Sequence, residues 1–141
     1  MTRDLSIGDV SKNSGVKVPT IRYYEQIGLL PCPPRSEGNR RLYTKRDIER
    51  LAFIRHAREL GFDIEAIRAL LDLQDRPAQS CAMADELARA RLRDVEERIE
   101  KLQALKTELQ RMLDCNAHGR VDQCRVIEVL GHHDQCLHQK H

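Results

Sequence analysis

Five cysteines and six histidines are the side chains in this sequence best suited to bind a soft metal ion or to carry a redox reaction, and most of them fall late in the chain. Cys115, His118 and Cys124 lie in one short stretch broken by Asn116 and Gly119. Two thiolates and an imidazole make most of a tetrahedral Cys3His site, the kind that suits zinc or a similar soft divalent ion. The missing thiolate has a candidate in Cys81, far upstream. Cys136 and His138 in the tail, together with His132, His133 and His141, are auxiliary donors. Cys32, set among Pro31, Pro33 and Pro34, reads instead as a small loop residue. The N-terminus has no apolar signal core and no stretch is apolar enough to span a bilayer. The expected setting is therefore the cytoplasm, where an odd number of thiols points to metal binding or redox sensing rather than to structural disulfides.

The element that must position these donors is the run from Ala84 to about Leu113, which contains neither proline nor glycine. Ala88, Leu92, Val95, Ile99, Leu102, Leu109 and Leu113 recur at alternating steps of four and three, interrupted where Lys106 takes the expected apolar place. A heptad stripe on an otherwise charged helix is too narrow to be stable alone and calls for a partner helix. Some thirty helical residues rise about 45 to 50 Å, so Cys81 and Cys115 cannot meet within one chain. In an antiparallel pair, however, Cys81 of one chain arrives beside Cys115 and Cys124 of the other. The stripe itself does not fix helix direction. After the loop, Arg125 to Leu130 reads as a short helix whose Val126, Ile127 and Leu130 cover it.

The front of the chain is built for a different partner. Lys17 to Arg58 carries ten Lys or Arg against four Asp or Glu, whereas residues 59–141 hold twelve against sixteen, so a polyanion is expected at the front. Leu5 to Ser14 reads as a helix capped by Ser6 and stopped at Gly15. Pro19 suits the first position of a second helix, Thr20 to Ile27, that stops at Gly28. Two short helices joined by a tight turn form a helix-turn-helix. The second helix carries Thr20, Arg22 and Tyr23, which can reach base edges and phosphates, while Tyr24 is read as core.

Prolines and Gly38 exclude a helix between Leu29 and Tyr43; Gly38-Asn39 gives a turn between two short extended arms, a wing bearing Arg35, Arg40 and Arg41. Thr44 and Asp47 approximate a capping box for a helix ending at Gly61, with Ile48, Leu51, Ile54, Arg55 and Arg58 near one side. Asp63 then caps Ile64 to about Leu73, with Ile64, Ile67, Leu70 and Leu71 as core.

Ile7-Gly8-Asp9-Val10, Thr20-Ile21-Arg22-Tyr23-Tyr24-Glu25, Gly28-Leu29-Leu30, Arg35, Asn39, Arg41-Leu42-Tyr43 and Ile54-Arg55 together resemble the N-terminal domain of the MerR family of bacterial metal-responsive transcription regulators. The resemblance runs to about Leu130. It implies a mainly α chain: a winged helix-turn-helix over 1–75, a hinge over 76–83, a long antiparallel coiled-coil dimerisation helix over 84–113, and a metal-binding loop, short helix and tail over 114–141. It implies that Arg22 and Tyr23 belong to the recognition helix and that Arg41 and Tyr43 are wing contacts. Arg40 stands where many relatives carry an aromatic. Thr20, Arg22, Tyr23, Arg35, Asn39, Arg40, Arg41 and Tyr43 are thus the expected DNA-binding residues, and Cys81, Cys115, His118 and Cys124 the expected metal ligands.

By the same resemblance the partners are double-stranded promoter DNA, RNA polymerase and a second copy of the chain, and metal binding activates an efflux or resistance gene by distorting the promoter. A cysteine at position 81, where copper(I) sensors of the family have serine, points to a divalent ion: zinc first, with cadmium, lead or mercury as alternatives. Mercury sensors resemble the chain in their three cysteines and in the spacing from Cys115 to Cys124, whereas His118 and the histidine-rich tail lean toward zinc, cadmium or lead. A redox sensor with an iron-sulfur cluster would need four closely spaced cysteines, and none lies between Cys115 and Cys124. No His-Glu-x-x-His helix or Gly-rich phosphate loop is present, and a closed four-ligand site has no position for substrate, so an enzyme is not expected.

Overall fold

The computed structural model describes residues 5–114, 120–121 and 124–132, and all named elements in them are helices: α1 (Ile7–Ser14), α2 (Val18–Gln26), α3 (Lys45–Glu59), α4 (Ile64–Gln74), α5 (Ala82–Asp114) and α6 (Arg125–Gly131). The chain divides into two compact units, Met1–Leu87 and Ala88–His141.

In the first unit the starts and stops follow from single side chains. Ser6 caps α1 and Asp9 returns the bond, each joining the other's backbone N–H at 3.1 Å, so two otherwise unpaired donors are satisfied together. The cap holds the Asp9 carboxyl below its ordinary value, first through the Ser6 backbone N–H and then through the Ser6 hydroxyl. Gly15 ends α1 at φ 77°, a left-handed conformation that favours glycine, and a β-carbon there would lie 3.3 Å from Arg55 Nε, close enough that the arginine side chain would have to give way slightly.

Helix α2 begins one residue earlier than the sequence suggests, with Val18 first and Pro19 second; proline is tolerated there because first-turn N–H groups have no intrahelical acceptor. The chain then turns sharply at Gly28, φ 81°, and the N–H groups of Leu29 and Leu30 both return to the Tyr24 carbonyl. Helices α3 and α4 start at the expected caps: the Thr44 N–H donates to Asp47 Oδ2 at 2.8 Å, and the Ala66 N–H to Asp63 Oδ1 at 2.8 Å.

One core cluster joins these parts. Val10 of α1, Ile21 and Tyr24 of α2, Leu29, Leu30, Tyr43, Leu51, Ile54 and Ala57 of α3, and Ile67 and Leu71 of α4 are all buried in it. Each large apolar side chain so covered contributes about 1.5 to 3 kcal/mol relative to exposure. Arg50 adds a polar clamp: Nε donates to the Leu29 carbonyl at 2.9 Å while Nη1 pairs with Asp75 Oδ1 at 3.3 Å. It binds the segment after α2 and the end of α4 to α3.

The wing is less regular than a hairpin. Its arms meet at a single antiparallel bridge, Arg35 with Arg41, supported by Ser36 N–H to Arg40 carbonyl at 2.8 Å and Leu42 N–H to Pro34 carbonyl at 2.9 Å. Asn39, φ 62°, takes the left-handed position at the turn rather than Gly38. A second bridge pairs Tyr43 with Leu5, fastening the returning arm to the residues before α1.

In the second unit, α5 continues as part of an unbroken 33-residue helix and α6 follows. Leu92, Ile99, Leu102, Leu109 and Leu113 are exposed and Val95 is half-buried, so most of the heptad stripe of the sequence is bare in a single chain. A contiguous apolar row in water marks an interaction face. The buried residues described in this unit lie elsewhere: Glu108 and Met112 of α5 and Val129 of α6.

Candidate functional site

The helix-turn-helix presents α2 with two opposed faces. Ile21, Tyr24 and Glu25 are buried, whereas Arg22 is exposed, Tyr23 is 49% exposed and Thr20 is half-buried. Tyr23 leans on Tyr24 with ring centroids 6.0 Å apart, so the core tyrosine supports the surface one. Arg22 and Tyr23 therefore stand on the open face, with a cation and a phenol available to a polyanion.

Beside them the wing supplies further cations. Ser6, Ile7, Arg35, Asn39, Arg40 and Arg41 line a concavity of about 330 Å³, and the Arg35 guanidinium steadies the turn by donating to the Asn39 carbonyl at 3.1 Å. Arg35, Asn39 and Arg40 are exposed, and Arg41 is half-buried.

Tyr43 departs from the expected wing contact. It is 0% exposed, and its hydroxyl donates to Glu25 Oε1 at 2.8 Å. Its residue type suits phosphate, but its position fills the core beneath the wing. Burial, and then the hydrogen bond and negative charge of Glu25, push the phenol well above its ordinary value of 10.0. Arg41 Nε joins the same carboxylate, 3.3 Å from Oε2. Sequence reading missed Glu25 as the hub of this group. Its signal was slight: a lone acid on a helix that carries a single arginine, eighteen residues before the tyrosine that binds it.

Of the expected metal ligands, Cys81 is exposed just before α5 and Cys124 is half-buried at the head of α6, both as free thiols. Cys124 makes no side-chain capping bond to the helix it precedes, so capping does not engage its sulfur. Cys115, His118, Cys136 and His138 lie outside the described residues. Among the described residues no three or more His, Cys, Asp or Glu side chains come together into a metal-binding group. The described donors are soft and fit a soft divalent ion, but a full ligand set needs more than they supply.

A cleft of about 790 Å³ lies elsewhere in the first unit and is lined by Cys32, Arg46, Asp47, Glu49, Arg50 and Asp75 with four prolines among its other residues. Its lining holds one thiol and no histidine to act as its base. Among the described residues no helix is long and apolar enough to cross a membrane.

A recognition helix with an exposed Arg-Tyr pair, flanked by a basic wing, defines a winged helix-turn-helix DNA-binding regulator. Residues 5–74 match the family described as MerR HTH family regulatory protein, and residues 48–112 match the one described as MerR, DNA binding. The chain belongs to the MerR family of helix-turn-helix regulators, and like its relatives it is a transcriptional regulator rather than an enzyme.

It is 42% identical to the HTH-type transcriptional regulator ZntR of Escherichia coli K12 over 128 residues, covering 88% of this chain and 90% of ZntR. The mercuric resistance operon regulatory protein of Serratia marcescens is 37% identical, over 90% of this chain and 88% of its own. Among solved structures, the transcription regulator PbrR691 from Ralstonia metallidurans CH34 in complex with lead(II) superimposes with a TM-score of 0.77 at 37% identity, covering 89% of this chain and 98% of that one. This similarity agrees with the mainly helical fold expected from the sequence.

Proposed function

We propose that the chain is a metal-dependent regulator that binds double-stranded promoter DNA as a homodimer and, on binding a divalent soft ion, activates an efflux or resistance gene by distorting the promoter for RNA polymerase. The observation that carries this reading is the bare apolar stripe of α5, preceded by the exposed thiol of Cys81 and followed by the half-buried thiol of Cys124. An antiparallel partner covers such a stripe and delivers Cys81 of one chain to Cys115, His118 and Cys124 of the other. Zinc is the first choice of ion, with cadmium and lead next; Cys136 and His138 are auxiliary donors. The relative solved with lead(II) supports a divalent ion of this class.

Residues 1–75 bind DNA, 76–83 act as hinge, 84–113 pair the chains, and 114–141 complete the metal site. Thr20, Arg22 and Tyr23 contact the duplex from α2, and Arg35, Asn39, Arg40 and Arg41 from the wing. Closing the site across the dimer biases the two DNA-binding units toward another relative angle, which requires the two states to differ in metal affinity. Bending the duplex costs about 1 to 6 kcal/mol, offset by added phosphate contacts. Such a protein works in the cytoplasm, where the promoter is.

The test is a titration of the reduced dimer with zinc, cadmium, lead, mercury and copper(I), read as transcription from the bound promoter. Zinc, cadmium or lead should induce, copper(I) should not, and Cys81→Ser should abolish induction while leaving DNA binding. Normal induction in Cys81→Ser would overturn the shared site. The second reading, a mercury-responsive regulator with a three-cysteine site of Cys81, Cys115 and Cys124, is favoured by the Serratia marcescens relative and predicts induction by mercury alone, unaffected by His118→Ala.

A further inference from the structure

Glu25 is the one acid buried in the recognition helix, only 8% exposed, and both of its oxygens are engaged by the wing. Oε1 accepts from the Tyr43 hydroxyl at 2.8 Å, and Oε2 lies 3.3 Å from Arg41 Nε. Arg41 and Tyr43 are two apart on an extended arm, so their side chains leave the same face of it. Tyr43 is in turn held by backbone bonds to Leu5, its N–H donating at 3.0 Å and its carbonyl accepting at 3.3 Å. One carboxylate thus joins the helix that faces base edges to the arm that carries the wing's cations.

A guanidinium has two separable edges. Arg41 turns its Nε edge to Glu25 in an ion pair, which leaves the paired Nη groups as a fork of the shape that matches a phosphate. A buried carboxylate held by a tyrosine in the core gives that ion pair a fixed partner, which biases the fork toward one direction before any DNA arrives. An arginine without the anchor would sample many rotamers and would lose that freedom on binding.

We infer that Glu25 is a positioning residue for DNA recognition: it orients Arg41 toward one backbone phosphate and locks the wing in register with α2. The inference rests on the DNA-binding reading of the α2 and wing surface. Arg41 is the group that touches the duplex, and Glu25 acts through it.

The probes are a duplex that the full-length dimer enriches from a random pool and a scrambled duplex of equal length, each measured over a range of salt. Glu25→Gln keeps the shape and an acceptor for Tyr43 but loses the charge that holds Arg41. For the enriched duplex the expected result is about a tenfold loss of affinity and a salt slope smaller by about 0.9, the signature of one lost phosphate contact. Arg41→Ala should give the same change in slope, and the double variant should add nothing further.

Additive effects, or a Glu25→Gln slope equal to that of the parent, would overturn the inference. So would equal losses on both duplexes with the Arg41 contribution intact, the pattern of a merely structural acid. Should Glu25→Gln fail to fold, Arg41→Lys decides: a lysine has a single head and cannot hold the anchor and the phosphate together, so a parental slope there overturns the inference and a slope smaller by about 0.9 supports it. A parent dimer that enriches no sequence would instead refute the underlying DNA-binding reading.

Discussion

Leu102→Ala is the most direct probe of what the bare stripe on α5 is for. Leu102 is 58% exposed in the single chain, so most of its side chain remains to be covered by a partner. Full burial of a leucine contributes about 1.5 to 3 kcal/mol, and the exposed share of that is about 1 to 2 kcal/mol. A twofold dimer carries the substitution twice, which gives about 2 to 4 kcal/mol before any cavity is counted. At about 1.4 kcal/mol per factor of ten, the dimer dissociation constant should rise by about 30-fold to 1,000-fold. Sedimentation equilibrium over a wide concentration range reads this directly. The helix itself should be unharmed, because alanine is the best helix former and the first unit does not depend on this side chain. Lys101→Ala, beside it but off the stripe, is the control and should leave association within about threefold, as surface changes usually do. An unchanged dissociation constant for Leu102→Ala would refute the assignment of the stripe to dimerisation.

Three other outcomes follow from the same geometry. Arg22→Ala removes the exposed cation of α2 and should weaken promoter binding by about 1 to 3 kcal/mol in a gel-shift or anisotropy titration, with the fold retained by circular dichroism. Mixing Cys81→Ser with Cys115→Ser chains should restore one metal site per heterodimer, counted by metal analysis after exchange; no recovery would mean that ligands are not shared between chains. The raised pKa of Tyr43 sets an alkaline limit: the buried phenol stays neutral while the unfolded chain ionises above about 10, so stability is full below that pH and is lost as pH rises toward the folded value. Tyr43→Phe should remove this component from urea midpoints measured between neutral and strongly alkaline pH, while lowering stability at neutral pH because Glu25 loses a donor.

Much of this was legible because it depends on short-range chemistry. Ser6, Gly15, Gly28, Thr44, Asp47 and Asp63 mark helix ends through bonds to residues three or four away or through a left-handed backbone, and all six appear at helix ends or turns in the structure. The stripe of α5 was legible because spacing alone defines a helix face. Tyr24 was read as core and is core. Tyr43 was misread because its environment is set by Leu5 and Glu25, far away in the chain, and nothing next to it separates a buried phenol from an exposed one. The cap at Ser6 was legible, but not the return bond from Asp9 three residues on that makes it a full capping box. The Gly38-Asn39 turn of the wing lies where composition placed it, with Asn39 in the left-handed position because asparagine also tolerates positive φ. Arg50 carries no local pattern at all, since its two partners lie 21 and 25 residues away.

That arginine has a mechanical consequence. By gripping the Leu29 carbonyl and the Asp75 side chain at once, Arg50 welds the root of the wing to the last turn of α4, the point from which the chain departs toward α5. Within the first unit the recognition helix, the start of the wing and the end of α4 are therefore all tied to α3 by a side chain that lies on neither DNA-facing surface.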